Sequence, residues 1–298
     1  NKTDFNVVEC GRGARYDDVN QIEGFTGGIN KVFLEHVGPL GHSIDSVAHH
    51  KAGLIKKGMD AVYTAEQSKY PDRVLRYEAR KFELPLYHYN TDFSAYDVRL
   101  TNEGTCFSVK GRLGDYRELK LSLLGRHQAE NAALAIALCE GVLGRELDNE
   151  VLKRVLPEIH WPGRMEILEK GPLVVLDGCI SKESMRQVQE VVNFLEFKEI
   201  VTVLAIPEDK DYMGVLDMAR EYKGKIIMTH ADNDYLKFSP RQVEKARSLY
   251  PVEFRESVPE AMELAKSLAR DDSLVLLLGT QSFIKDVKAW YGQDTLNI

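Results

Sequence analysis

The regular alternation of short apolar strands with helices between residues 173 and 291 is the feature that most restricts the fold. The pattern predicts strands at 173–176, 200–205, 225–229, 252–255 and 273–278, with helices at 183–195, 211–222, 239–249, 257–269 and 281–291. Runs such as Leu274–Leu278 are apolar throughout, which is typical of strands that are covered on both faces. The order therefore predicts a doubly wound α/β domain with a largely parallel sheet.

The first part of the chain mixes strands and helices less regularly. It predicts strands at 5–10, 31–34 and 61–64, β-hairpins over 92–124, and helices at 44–55, 70–82, 127–143 and 148–156. The cluster Trp161-Pro162-Gly163, which breaks regular structure, follows the last of these helices. We therefore expect two domains, an α/β domain over residues 1–160 and a Rossmann-like domain over residues 161–298.

The chain opens almost directly on a predicted buried strand. The run Phe5–Cys10 ends at the glycine turn Gly11-Arg12-Gly13, and the first residue is Asn1 rather than a methionine. A domain that begins inside its own sheet is unusual. We therefore expect that an N-terminal region of this domain is missing from the chain.

Composition excludes several classes of protein. The 39 basic and 46 acidic residues give a net charge of −7, whereas a nucleic-acid-binding protein normally has a basic surplus. No apolar run approaches the ~20 residues of a membrane-spanning helix. The four cysteines are scattered without metal-site spacing, which is typical of thiols in a reducing compartment, and we expect a cytoplasmic protein.

Three polar residues of the first domain stand near predicted strand or helix ends, where α/β proteins bind ligands. Glu9 lies in an apolar strand, so its carboxylate needs a cation, either Mg²⁺ or a salt bridge to Arg12 or Arg15. His36 follows a predicted strand and is either structural or shares a rim with Glu9. Lys51 lies in an apolar helical stretch, where it is either paired or modified.

Three further candidates lie beyond residue 125. Asn131 falls in the first turns of an alanine-rich helix, where it either caps and faces solvent or contacts a ligand. Arg164 follows the breaker cluster and offers several donors to a phosphate. Asp177 ends a predicted strand that opens into a helix, a position suited to a hydroxyl or ribose contact.

Taken together and in order, these motifs resemble the folylpolyglutamate synthase and dihydrofolate synthase family of the Mur ligase superfamily. The matching stretches are 9–20 (ECGRGARYDDVN), 35–41 (EHVGPLG), 47–54 (VAHHKAGL), 125–131 (GRHQAEN), 162–166 (PGRME), 209–211 (DKD) and 278–282 (LGTQS). The resemblance implies the remainder of a Mur-type central ATPase domain followed by a Rossmann-like ligase domain.

The resemblance also implies an ATP-dependent amide ligase. In the family, ATP converts a substrate carboxylate to an acyl phosphate, which an incoming amine then displaces. By matching positions, Glu9, His36 and Lys51 would bind Mg²⁺, with Lys51 carboxylated by CO₂, and Lys51 and His36 would be catalytic. Asn131 would contact adenine, Arg164 phosphate and Asp177 ribose, with ATP between the two domains. The partners would be a small-molecule carboxylate and an amino acid.

Two departures from the family pattern leave alternatives open. The family's glycine-rich phosphate loop does not occur in the chain, so an N-terminal segment or a partner chain would carry it. Asp177-Gly178-Cys179-Ile180-Ser181-Lys182 stands where the family has Asp-Gly-Ala-His-Asn-Pro. The alternatives are a divergent ligase that acts on a non-folate carboxylate and a non-catalytic pseudo-ligase that has lost ATP chemistry.

Overall fold

The chain divides into two compact units in the computed structural model, which describes residues 2–35, 37–233 and 237–296. Unit 1 comprises Asn1–Arg99, Cys106–Leu121 and His127–Pro157, and unit 2 comprises Leu100–Thr105, Ser122–Arg126 and Glu158–Ile298. No helix in the described part of the chain is long and apolar enough to cross a membrane.

Unit 1 is built on a small parallel sheet. The strands β1 (Thr26–Ile29), β2 (Ala61–Thr64) and β3 (Leu86–His88) lie in chain order, and the helices beside them are α1 (Val37–Leu40), α2 (Ile44–Lys51) and α3 (Lys69–Lys81). Val47 of α2, Val62 of β2 and Leu75 of α3 are fully buried in one apolar cluster. The predicted strand at 61–64 and the predicted helices at 44–55 and 70–82 are thereby confirmed.

The middle of the chain adds a second three-stranded sheet and a long helix. Its elements are β4 (Ser94–Thr101), β5 (Gly104–Lys110), β6 (Asp115–Leu121), α4 (Arg126–Leu143) and α5 (Asn149–Val155). The strands lie in chain order, as the predicted hairpins require. Helix α4 forms because alanine has the highest helix propensity and presents a small surface that packs closely, with Ala129, Ala133 and Ala137 fully buried.

The predictions of strands at residues 5–10 and 31–34 are wrong. Residues 5–10 have no regular secondary structure, and Val7 is fully exposed. The apolar sequence alone does not make a strand, because a strand also needs backbone partners on a neighbouring strand. Residues 31–34 are likewise irregular, and the Val32 N–H donates to the Gln67 side chain instead of a strand.

The strand that sequence reasoning placed at 31–34 lies earlier, in the glycine-containing β1. Glycine weakens the sequence signal for a strand, but here it leaves room for side chains that pack closely against β1. A β-carbon at Gly27 would lie 2.6 Å from Met59 Cε, and one at Gly28 would lie 2.7 Å from Leu138 Cδ1.

Unit 2 contains a six-stranded sheet in the order β11-β10-β9-β12-β8-β7. Its strands are β7 (Glu166–Lys170), β8 (Leu173–Asp177), β9 (Glu199–Ala205), β10 (Lys225–Thr229), β11 (Val252–Arg255) and β12 (Ser273–Gly279). Its helices are α6 (Lys182–Val192), α7 (Tyr212–Ala219), α8 (Pro240–Leu249), α9 (Val258–Leu268) and α10 (Gln281–Trp290). All neighbouring strands are parallel except β7 and β8.

Both faces of this sheet are covered, which confirms the doubly wound prediction. Alternate residues of β12 belong to two separate apolar clusters, with Leu276 on one face and Val275 and Leu277 on the other. The first cluster includes residues of α6, α7 and α8, and the second includes residues of α9 and α10. Strands buried on both faces need no polar alternation, which is why their sequences are apolar throughout.

A buried carboxylate joins the β5–β6 turn to α4 within unit 1. Glu140 is 1% exposed. Its oxygens accept the N–H groups of Arg112, Leu113 and Gly114 at 2.8, 3.2 and 2.9 Å. The Tyr116 hydroxyl donates to the same carboxylate at 2.7 Å. Four donors thus share one carboxylate: three partly buried N–H groups of the turn and the buried Tyr116 hydroxyl.

Replacing Glu140 by alanine is therefore expected to lower the free energy of unfolding by at least about 2 kcal/mol, because the buried Tyr116 hydroxyl and three partly buried N–H groups lose their acceptor at once. Urea titration followed by circular dichroism measures the change. The matched control is Glu150→Ala on α5, whose side chain is 78% exposed, and its effect should stay within about 0.5 kcal/mol. Equal effects of the two substitutions would contradict this role of Glu140.

Candidate functional site

The loop over residues 11–22 is fixed to the C-terminal end of α2. The backbone N–H groups of Ala14 and Arg15 donate to the His50 carbonyl at 3.0 and 2.9 Å. The Arg15 side chain donates from Nε to the His49 carbonyl at 3.0 Å. A cationic side chain at the carbonyl end of a helix is also favoured by the helix dipole. The loop that follows Glu9 is therefore a direct neighbour of the helix end that carries Lys51.

A second set of contacts fixes the far end of the same loop. Asn20 donates from Nδ2 to the Gly53 carbonyl at 2.9 Å, and Lys56 Nζ donates to the carbonyls of Asn20 and Ile22 at 2.6 and 2.7 Å. Gly53 is required here, because a β-carbon would lie 2.3 Å from the Cα of Arg15. Gly53 thus allows the backbone that follows α2 to lie directly against the 11–22 loop.

The environment of Glu9 differs from the prediction. Glu9 is exposed in an irregular segment, so the premise that its carboxylate is buried in a strand is wrong. Arg15, one of its candidate salt-bridge partners, pairs with Glu78 of α3 at 3.2 Å. The Glu78 side chain is 5% exposed and also pairs with Lys81 at 2.9 Å. Arg15 therefore anchors the loop to α3 as well as to α2.

Lys51 is paired in the structure. Its Nζ lies 2.8 Å from Glu35 Oε1, and both side chains are partly exposed. His36 lies outside the described residues. Within the part of the chain that the structure covers, no group of three or more His, Cys, Asp or Glu side chains is arranged to hold a metal ion. The convergence of Glu9, His36 and Lys51 on a cation stays a prediction.

Asn131 belongs to a network of amide side chains near the carboxyl end of β1. Its Oδ1 accepts from Asn30 Nδ2 at 3.1 Å, and its Nδ2 donates to Gln128 at 3.3 Å. Gln67 donates to the Asn30 carbonyl at 3.0 Å and accepts from the Val32 N–H at 2.9 Å. Asn131 is exposed, so it remains accessible to a ligand while its orientation is fixed.

Unit 2 brings Arg164 and Asp177 together at the carboxyl end of β8. Asp177 Oδ2 accepts the Met165 N–H at 2.9 Å. The Gly163 carbonyl accepts the Gly178 N–H at 2.8 Å and Arg164 Nη1 at 3.2 Å. A β-carbon at Gly178 would lie 2.4 Å from Arg164 Nη1, so glycine is needed for the guanidinium to lie there. Arg164 and Asp177, which the sequence indicated separately as candidate ligand contacts, thus lie in one cluster.

The charge state of Asp177 is set mainly by its burial. The removal of this carboxyl from water raises its pKa to about 6, against the opposing effects of the Met165 N–H and the Arg164 cation. The next residue but one, Cys179, is fully buried, and burial raises the pKa of its thiol to about 12. The end of β8 thus holds a carboxyl group with a pKa of about 6 close to a thiol that stays protonated at neutral pH.

The Asp209-Lys210-Asp211 stretch connects the starts of two helices. Asp211 is the N-cap of α7 and accepts the Gly214 N–H at 3.0 Å. Its other oxygen accepts the Lys182 N–H at the start of α6 at 2.9 Å. Lys210 pairs with Asp209 at 3.1 Å. The second aspartate therefore helps to position the segment that follows Asp177.

Sequence reasoning missed several residues of these clusters. Asn30 comes directly after β1 and Gln67 lies three residues after β2, so polar residues just beyond strand ends were the available signal. The sequence around Lys288 does not indicate that this lysine is buried and paired with Glu166 at 2.5 Å, because a lysine in an amphipathic helix normally faces solvent.

Comparisons with known proteins support the fold and the family resemblance. No family model matches the chain. It is 28% identical to the dihydrofolate synthase/folylpolyglutamate synthase of Bacillus subtilis, over 96% of this chain and 67% of that protein. It is also 28% identical to the corresponding protein of Mycobacterium tuberculosis, over 90% of this chain and 58% of that protein. The chain thus spans about three fifths to two thirds of these relatives, and the resemblance found in the sequence is confirmed.

Solved structures show the same architecture. The folylpolyglutamate synthase of Mycobacterium tuberculosis complexed with ADP and AMPPCP superposes with a TM-score of 0.90 at 23% identity, over 96% of this chain and 68% of that chain. The folylpolyglutamate synthase of Thermotoga maritima superposes with a TM-score of 0.73 at 25% identity, over 92% and 62%. These matches confirm the predicted fold class.

The raised pKa of Asp177 predicts a pH-dependent stability. Between its unfolded value of 3.8 and about 6 the folded protein binds the proton more tightly, so the free energy of unfolding falls as pH rises through this window. The substitution Asp177→Asn keeps an acceptor for the Met165 N–H but removes this titration. The stability of the variant relative to wild type should therefore rise by up to about 3 kcal/mol between pH 4 and 7 in urea titrations. A difference that is independent of pH would contradict the raised pKa.

Proposed function

We propose that this chain, which resembles folylpolyglutamate synthases over nearly its whole length, acts in an ATP-dependent ligase that joins a small-molecule carboxylate to the amine of an amino acid. The observation that carries the proposal is the Arg164 loop bound to the Asp177 strand end, in the fold of a synthase solved with ADP and AMPPCP. Arginine and a carboxylate beside a strand end suit the phosphates and ribose of a nucleotide.

The reaction has two steps in this proposal. The substrate carboxylate attacks the terminal phosphorus of ATP, which forms an acyl phosphate and releases ADP. The amine nitrogen then attacks the acyl carbon, the carbon–oxygen bond to phosphate breaks, and the nitrogen loses a proton as phosphate leaves. Several negative charges meet in both steps, so the protein must align the reactants and supply compensating positive charge.

We assign three nucleotide contacts. Arg164 binds a phosphate, because its guanidinium has several donors in a planar fork and lies beside Gly178. Asp177 accepts a ribose hydroxyl in its ionised form, which predominates above a pH of about 6. Asn131 contacts adenine, since its amide is exposed and its orientation is set by Asn30 and Gln128.

For the cation we assign Glu9, His36 and Lys51 as ligands, with Lys51 and His36 also taking part in catalysis. The donor set fits Mg²⁺ when Lys51 carries a carbamate, because that group would supply an anionic oxygen where the unmodified side chain supplies a cation. Bound Mg²⁺ would supply positive charge to the phosphates. The 11–22 loop supports this assignment by fixing the backbone after Glu9 to the end of α2.

A polypeptide outside residues 1–298 would provide the phosphate loop. No Gly-x-x-x-x-Gly-Lys-Ser/Thr sequence occurs in the chain, and the relatives are longer than the matched region. Such loops bind phosphates through consecutive backbone N–H groups and a lysine. Either a preceding segment or a partner chain would serve.

Calorimetry with Mg²⁺ and AMPPCP tests the nucleotide assignment. Wild type should bind, and Arg164→Gln should weaken binding at least about tenfold through loss of a charge-assisted contact. The matched control is Arg186→Gln on α6, whose exposed side chain pairs with Glu183, and it should leave binding unchanged. Wild-type protein that binds no nucleotide even when the segment or partner chain with the phosphate loop is present would overturn the ligase proposal in favour of a non-catalytic pseudo-ligase.

The carbamate on Lys51 is tested by carbon-13 NMR in labelled bicarbonate. A neutral lysine amine adds to CO₂ and releases a proton, so wild type should show a carbamate signal that Lys51→Arg lacks. Lys210→Arg, which changes another partly buried and paired lysine, should retain the signal. A signal that survives Lys51→Arg, or none in wild type, would overturn the assignment.

A further inference from the structure

A buried ion pair connects α10 to the start of β7 within unit 2. Lys288 Nζ lies 2.5 Å from Glu166 Oε1, and the two side chains are 7% and 10% exposed. His160 also approaches this oxygen, at 3.6 Å, but its side chain is mostly exposed. Lysine is almost never buried without a partner, so Glu166 is what allows Lys288 to lie here.

The second oxygen of Glu166 reaches the loop that carries Arg164. Oε2 accepts the Gly163 N–H at 2.9 Å. The carbonyl of the same glycine accepts both Gly178 N–H and Arg164 Nη1. Gly163 has a φ of +66°, and a β-carbon there would lie 2.4 Å from Ile284 Cδ1 of α10. The glycine is thus held on one side by Glu166 and on the other by the β8 end.

We propose that Glu166 and Lys288 are positioning residues for the nucleotide: the ion pair orients the Glu166 carboxylate, which fixes Gly163 and so places the Arg164 guanidinium beside the end of β8. The inference rests on the proposed function, since Arg164 is taken to bind a phosphate. Neither residue touches the nucleotide in this arrangement. Lys288 acts through two intervening residues.

The energetics of buried charges favour a positioning role over a purely stabilising one. Two buried charges carry a desolvation cost that an apolar pair of the same shape avoids, so such a pair is a weak means of stabilising a core. An apolar pair could not accept the Gly163 N–H. A carboxylate held by lysine at one oxygen presents the other in a fixed direction, which an unpaired glutamate would not do.

The same strand offers a matched control. Glu169 of β7 pairs with Lys266 of α9, and their side chains are 33% and 23% exposed. Tyr291 also donates to Glu169, at 3.1 Å. None of the hydrogen bonds described for the Arg164 loop involves this second pair. Its loss should therefore affect stability without changing nucleotide binding.

The experiment compares Lys288→Met with Lys266→Met in the full chain. Three quantities are measured: the dissociation constant for ADP by calorimetry, hydrogen exchange of the Gly163 and Met165 amides by NMR, and the thermal midpoint. Lys288→Met leaves the Glu166 carboxylate buried without its cation, which destabilises the fold. The double variant Glu166→Gln/Lys288→Met, which removes both charges, is therefore included. It keeps a neutral acceptor for the Gly163 N–H.

We expect Lys288→Met to weaken ADP binding at least about tenfold and to speed exchange of the Gly163 amide by a similar factor. The double variant should fold, recover part of the Gly163 protection and still bind ADP more weakly than wild type. Lys266→Met should change only the thermal midpoint. If Lys288→Met and the double variant keep wild-type ADP affinity and exchange, or if Lys266→Met shows the same losses, the positioning role is overturned.

Exchange at Gly163 separates this inference from the proposed function. Wild type that binds no ADP even when the polypeptide with the phosphate loop is present would count against the ligase, whereas the amide still reports whether the ion pair fixes the loop. Conversely, wild-type binding with unchanged exchange in the variants would leave the ligase standing and overturn only the role of Lys288.

Discussion

The hydrogen bond from the Met165 N–H to the buried Asp177 carboxylate is the contact on which the candidate nucleotide site depends. It joins the segment before β7 to the carboxyl end of β8, and the neighbouring Gly163–Gly178 bond completes the link. Together the two bonds fix the position of Arg164 relative to the strand end. The acid that we propose as a ribose contact therefore also serves as a structural acceptor.

Buried carboxylates that bind loop backbone or anchoring cations recur elsewhere in the molecule. Glu140 accepts hydrogen bonds from three N–H groups of the β5–β6 turn, and Glu166 accepts one from the Gly163 N–H. Glu78 forms an ion pair with Arg15 of the 11–22 loop. In each case a regular element supplies the acceptor and an irregular segment is fixed by it. Since irregular backbone cannot satisfy its own donors as a helix does, an acidic side chain on a rigid element is an effective way to give a loop one conformation.

The sequence was most informative where local pattern and tertiary environment agree. The alternation between residues 173 and 291 predicted the strands β8–β12 and the helices α6–α10 of unit 2, because strands buried on both faces are apolar at every position, whereas the antiparallel edge strand β7 was not predicted. Prediction from local pattern failed at residues 5–10, where apolar residues lack backbone partners on a neighbouring strand. It also failed at β1, where Gly27 and Gly28 lie close to the side chains packed against them. Arg164 and Asp177 were recognised singly as candidates, whereas Lys288 depends on a contact 122 residues away and has no local signature.

The position of β12 in the unit 2 sheet has a consequence for biosynthesis. Strands β8 and β9 do not pair with each other, because β12 lies between them and pairs with both. Roughly 100 residues separate β8 from β12 along the chain, so the sheet cannot close while the ribosome is still translating the segment between them. Until then two half-sheets with open edges must be kept apart from other chains, and pairing over such sequence distances is slow. The facing edges of β8 and β9 in nascent unit 2 should accordingly stay unpaired until β12 has left the ribosome.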